Sequence, residues 1–149
     1  MRLQIVAFAF AALAACATPR AYRGNLIVGR STFDIEDGRV YNAILDVSLS
    51  PDGCAHGFVR DRAPFEICPG KPEGNVERWT GPQASLGVEV RDGGRSVSCD
   101  GYLPYGEVHV VVPLGAGPVN DEFRKHPILL ATLLATSGVI TLKGVPSPR

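Results

Sequence analysis

Period-two alternation of apolar and polar residues dominates the chain. Over residues 41–49, Tyr41, Ala43, Leu45, Val47 and Leu49 share one side and Asn42, Ile44, Asp46 and Ser48 the other. Residues 26–35 form a second run that can pair back onto it. Leu86, Val88 and Val90 alternate with Gly87, Glu89 and Arg91; Val97, Cys99, Gly101 and Leu103 with Ser96, Ser98, Asp100 and Tyr102; Val108, Val110 and Val112 with Glu107, His109 and Val111. Such alternation predicts half-buried strands. Shorter candidates lie at 55–60, 65–67 and 76–80. Asp-Gly pairs at 37–38, 52–53 and 92–93 separate several of these runs, and Asp-Gly favours type I′ hairpin turns. The pattern predicts about eight strands in meander order: a mainly β fold, an antiparallel sandwich or a small barrel.

The C-terminal region breaks this period. Asn120 is a candidate N-cap, with Asp121 and Glu122 suited to a helix start. Pro127 implies a kink or a new start. Residues 128–135 (ILLATLLA) are apolar almost all round, and Gly138 is a natural stop. A helix without a polar face is normally buried, so it should plug or cover the sheet, or else dock on lipid or a partner. Residues 139–142 would add a last strand, and 146–149 a frayed tail.

The N-terminus follows neither period. Residues 5–15 form an uncharged run of 11 residues behind a single positive charge, Arg2. A bilayer-spanning helix needs about 20 apolar residues; this run fits the hydrophobic region of a secretory signal. It ends in Leu13, Ala14, Ala15 and Cys16, which resembles the lipobox of bacterial lipoprotein precursors. The resemblance covers about the first 17 residues. It implies diacylglycerol transfer to the Cys16 thiol, cleavage before Cys16 and acylation of the new amino group. With Ala17 rather than aspartate next, it implies the periplasmic face of the outer membrane of a Gram-negative bacterium. Ala15-Cys16-Ala17 also satisfies ordinary signal cleavage, which would discard Cys16 and release a soluble product. The organisation is then a signal peptide at 1–15, a tether at 16–24 and one β-rich domain at 25–145.

Composition adds limits. Removal of residues 1–15 would leave 134 of the 149 residues, enough for one core. Charge is balanced, with 15 Lys and Arg against 15 Asp and Glu, so there is no basic stripe for nucleic acid. In the oxidising compartment that the leader implies, disulfides persist. Cys54, Cys68 and Cys99 permit three pairings. Cys54–Cys68 is favoured by proximity, with Cys99 the alternative partner.

Candidate chemistry is sparse. Cys54, His56, Cys68, Cys99 and His109 lack metal-site spacing, and no cofactor is expected. Ser98, Asp100 and His109 could group if their strands are neighbours; the bland reading is a solvated sheet face. The acid pairs Glu36-Asp37 and Asp121-Glu122 suit a turn and a helix start. Trp79 is either a buried anchor or a binding patch. These features imply a lipid-anchored envelope protein with a non-catalytic binding or structural role, contacting membrane lipid through Cys16 and another envelope protein or peptidoglycan. An envelope-polymer hydrolase and a small-ligand carrier are the alternatives.

Overall fold

The computed structural model describes residues 24–28 and 31–137. Cys16, the tether up to residue 23, the strand expected at 139–142 and the tail lie outside the described residues. The protein is mainly β, with antiparallel strands followed by two C-terminal helices. The strands are β1 (Gly24–Val28), β2 (Ser31–Glu36), β3 (Arg39–Tyr41), β4 (Leu45–Leu49), β5 (Ala55–Val59), β6 (Phe65–Pro69), β7 (Glu77–Gly81), β8 (Ala84–Arg91), β9 (Ser96–Leu103) and β10 (Gly106–Pro113); the helices are α1 (Pro118–Lys125) and α2 (Pro127–Ser137). Each strand pairs with the next, so the sheet is a pure meander.

Ten strands replace the expected eight because two long runs are each folded into a hairpin. The 26–35 run breaks after Val28, and β1 pairs with β2, Val28 opposite Ser31. The 41–49 run breaks at Asn42, whose Oδ1 accepts from the backbone N–H groups of Ile44 and Leu45, both at 2.8 Å. This side-chain mimic of a turn shifts the phase by one, so Val40 is buried in place of Tyr41. All three Asp-Gly pairs sit in hairpin turns, but the backbone differs from the type I′ expectation. Only Asp92 and Gly93 both have positive φ, at 53° and 66°; Gly38 and Gly53 follow an aspartate that does not.

The sheet must curl. Neighbouring strands lie about 4.8 Å apart, so β3 and β10 would be roughly 34 Å apart in a flat sheet, against a helix about 10–12 Å wide. Yet α2 packs on β3, β4, β8, β9 and β10. The result is a half-barrel with α2 in its concave side. Among the described residues no pairing joins β1 to β10. Ile128, Leu129, Leu130, Ala131, Leu133, Leu134 and Ala135 are buried against Ile35, Val40, Val47, Ile67, Leu86, Val88, Val97 and Val108. The buried Thr132 hydroxyl donates to the Ile128 and Leu129 carbonyls of its own helix, at 2.9 and 3.0 Å, so no polar atom is stranded there.

Two helices stand where one apolar helix was expected, since Pro127 starts a new one. The cap is also different: Gly117, not Asn120, is the N-cap, and Pro118 opens α1. Helix α1 acts as a clasp. The buried Glu122 accepts from Gly38 N at 2.9 Å in the β2–β3 turn, and Lys125 Nζ meets Asp37 Oδ1 at 2.9 Å. Arg124 reaches the other way: Nε donates to Gly94 O at 2.5 Å in the β8–β9 turn, and Nη2 to the Leu114 and Gly115 carbonyls. One short helix thus ties together turns six strands apart. One member of each acid pair, Asp37 and Glu122, meets the other across this junction.

Glycine is required where a neighbouring strand or ring passes too close for a Cβ. A Cβ on Gly101, whose φ is +133°, would lie 2.0 Å from the Ser85 carbonyl oxygen. A Cβ on Gly57 would lie 2.0 Å from the Phe65 ring, which covers that gap and meets Tyr105 edge-on at 6.1 Å between centroids.

Candidate functional site

With α2 in the concave side, the polar chemistry lies on the outer face. On β7–β10 the registers Arg78↔Gly87, Gly87↔Asp100 and Asp100↔His109 form one row across the sheet. It floors a cleft of about 430 Å³ that also meets Glu89, Arg91 and Ser98. Gly87 lets Arg78 lie flat across β8: a Cβ there would be 3.0 Å from Arg78 Nη1. Arg78 Nη2 donates to Glu73 Oε2 at 3.0 Å, whereas the buried Nε has no partner among the described residues. Arg91 is bound to Glu89 at 2.8 Å.

His109 Nδ1 meets Asp100 Oδ1, and its Nε2 lies 3.5 Å from Glu107 Oε2. The hydrogen bond to Asp100 raises the His109 pKa above its ordinary value, against a small opposing effect of desolvation and with further help from the charges of Asp100 and Glu107. Ser98 sits opposite Val111, one pleat from the Asp100–His109 pair. Among the described residues it makes no side-chain hydrogen bond to either. The sequence-derived grouping of Ser98, Asp100 and His109 therefore shares a cleft without forming a nucleophile–base pair.

A tighter constellation, missed in the sequence, lies on β4–β6. Ser50 Oγ is 2.9 Å from His56 Nε2, and His56 Nδ1 is 3.1 Å from Glu66 Oε2. His56 and Glu66 are direct cross-strand partners, with Ser48 opposite His56 on the other side. Cys54 and Cys68 form a disulfide, in agreement with the favoured pairing. Counting two residues from His56 and two from Glu66, this bridge is the next pair on the same ladder, so it clamps the strands that carry the histidine and the carboxylate. Asp52 Oδ1 also meets the Ser50 hydroxyl and accepts from Cys54 N at 2.9 Å. The bond from Ser50 and that from Cys54 lower the Asp52 pKa, against weak desolvation. The signal for this cluster was the 52–53 turn itself: it folds Ser48, Ser50 and His56 onto one face.

Cys99 is fully buried and free, and burial pushes its pKa up to about 12. That holds the thiol protonated and inert. Trp79 is 7 % exposed, and its Nε1 donates to Glu77 Oε2 at 3.3 Å. Its remaining edge joins Leu49, Ser50, Lys125, Pro127 and Ile128 around a groove of about 330 Å³. Asp37, Glu122 and His126 bring three potential metal ligands within 4.8 Å of one another, but Lys125 already places a cation on Asp37. In the second such group, Cys54, Glu66 and Cys68, the disulfide occupies both sulfurs. Among the described residues no helix is long and apolar enough to cross a membrane.

Comparison with protein-family models, curated proteins and solved structures finds no match.

Proposed function

We propose that the chain is a lipid-anchored envelope protein whose β domain is a binding module for another envelope component, a neighbouring protein or peptidoglycan. Cys16 carries the anchor, and two or more acyl chains hold such a domain stably at a membrane. The sheet is read as a small barrel left open at one side, with α1 as its clasp. The observation that supports binding on the outside is the β7–β10 cleft. Arg78, Asp100 and His109 offer donors and acceptors in a row about 14 Å long, three strand spacings. Among the described residues α2 fills the concave side, where a carried small ligand would otherwise sit.

The test has two arms. Fatty-acid labelling of the protein in its own envelope should mark Cys16, and Cys16→Ser should release the chain from membranes. Crosslinking in those membranes should capture one envelope partner, and Arg78→Ala with His109→Ala should reduce that capture at least tenfold. An unmodified chain free in the aqueous fraction sinks the anchor. Capture indifferent to both cleft substitutions sinks the proposed surface.

A further inference from the structure

We propose that Ser50 is a nucleophile toward carboxylic esters, with His56 as its general base and Glu66 as the residue that positions the base. The proposal goes beyond the binding role and does not depend on it. It rests on the order of contacts: hydroxyl on Nε2 at 2.9 Å, carboxylate on Nδ1 at 3.1 Å. A carboxylate at Nδ1 holds the proton on that nitrogen and leaves Nε2 free to accept from the hydroxyl, which is the logic of an activated serine. Three successive strands supply the parts. Ser50 follows β4, His56 lies on β5 and Glu66 on β6, and the Cys54–Cys68 bridge fixes the latter two in register.

The surroundings indicate the ester. On one side of Ser50 lies the 330 Å³ groove, apolar along Leu49, Trp79, Pro127 and Ile128 and edged by Glu77, Lys125 and His126, suited to a short acyl group. On the other, His56 borders a depression of about 460 Å³ with Arg39, Asp46, Ser48 and Phe58, suited to a polar alcohol. In the acylation step, Ser50 Oγ forms a bond to the carbonyl carbon while its proton passes to His56 Nε2. The C–O bond to the alcohol then breaks, and that proton leaves with the alcohol. Water repeats the sequence on acyl-Ser50, giving a carboxylic acid and the free hydroxyl.

Two features make the site slow. Three of the turn's four N–H groups are occupied: Ser50 N on Cys54 O, Gly53 N on Ser50 O and Cys54 N on Asp52. The turn therefore offers the oxyanion at most the Asp52 N–H in place of the usual pair of donors, and each missing donor costs about a hundredfold to a thousandfold. Asp52 also competes with His56 for the hydroxyl proton and sets a negative charge beside the carbon under attack. Covalent capture is therefore a better readout than turnover.

The test uses the full mature chain in detergent, an alkyl fluorophosphonate and p-nitrophenyl butyrate, with adducts located by mass spectrometry. The expected result is one adduct, on Ser50. His56→Gln should slow its formation roughly a hundredfold, as loss of a general base does. Glu66→Gln should slow it and Glu66→Asp restore part of the rate, whereas Asp52→Asn should raise it. Ser31→Ala, at the far end of β2, should change nothing. Melting temperatures of all variants separate a turn-stabilising role, which would move stability and leave labelling alone. If His56→Gln fails to fold, the Glu66 pair carries the comparison. No adduct, an adduct elsewhere, or a Ser50 rate indifferent to His56 and Glu66 overturns the proposal.

Discussion

Leu133→Ala tests whether α2 is the core of the half-barrel or a helix waiting for a partner. Leu133 is 0 % exposed. The substitution removes three carbon groups at about 0.8 kcal/mol each, near 2.4 kcal/mol of lost transfer energy. If the strands cannot collapse onto the gap, a residual cavity of about 50–100 Å³ adds about 1–2.5 kcal/mol at about 24 cal/mol per Å³. Collapse is hindered, because α2 is held from several sides by strands at both ends of the sheet. The expected loss is therefore about 3–5 kcal/mol, read as a lower urea midpoint with an unchanged slope. Val111→Ala is the control. Val111 is 51 % exposed, and its loss should stay within about 0.5 kcal/mol. A Leu133→Ala cost below about 1 kcal/mol, together with impaired membrane or partner association, would refute the buried-helix account.

Other outcomes follow from the clasp, the sulfurs and the surface histidine. Glu122→Ala strands the Gly38 N–H and should cost about 1–3 kcal/mol, with faster amide exchange at Gly38 than at Val88. Reduction of Cys54–Cys68, which are 14 residues apart, should cost about 3 kcal/mol in the chain-entropy treatment; a midpoint unchanged by reductant counts against it. Cys99 should resist iodoacetamide in the folded protein and react at once in denaturant. His109 has a raised pKa, so the stability from its pairing is present below the ordinary value near 6.5 and is lost as pH rises through the raised folded value. Asp100→Asn should move the His109 titration, followed by NMR, to lower pH.

Much of the sheet was legible because period two is imposed by the pleat itself. Leu86, Val88, Val97, Cys99 and Val108 are all buried, as their alternation implied. What the alternation hides is where a strand stops. Residues 41–49 keep their period straight through Asn42, and only the Oδ1 contacts to Ile44 and Leu45 show that the chain reverses there. The long apolar helix was legible in its composition and the start of α1 in its acids, whereas the role of α1 was not: it depends on Gly38 and Gly94, 84 and 30 residues from the side chains that bind them. The same distinction separates the two serine–histidine sets. Each serine sits diagonally from its histidine across one ladder. Face and spacing alone could not say that Ser50 reaches His56 while Ser98 does not reach His109.

The topology also gives the domain a direction. In a meander, alternate turns fall at opposite ends of the sheet. The turns after β2, β4 and β8 share one end, and the pairing of Gly24 with Ile35 brings the chain in at that end too. Helix α1 contacts β1 there, and Ser50 and the Trp79 groove lie on the same rim. A tether from Cys16 to Gly24 spans eight residues, or roughly 30 Å when extended. With Cys16 lipidated as proposed, Gly24 would stay within that distance of the bilayer, at the end of the sheet that also bears Ser50, while the 104–105 turn lies at the other end. The constraint favours substrates presented at the membrane surface for Ser50. The β7–β10 cleft, running across the outer face rather than along the rim, is free to take a partner from the side.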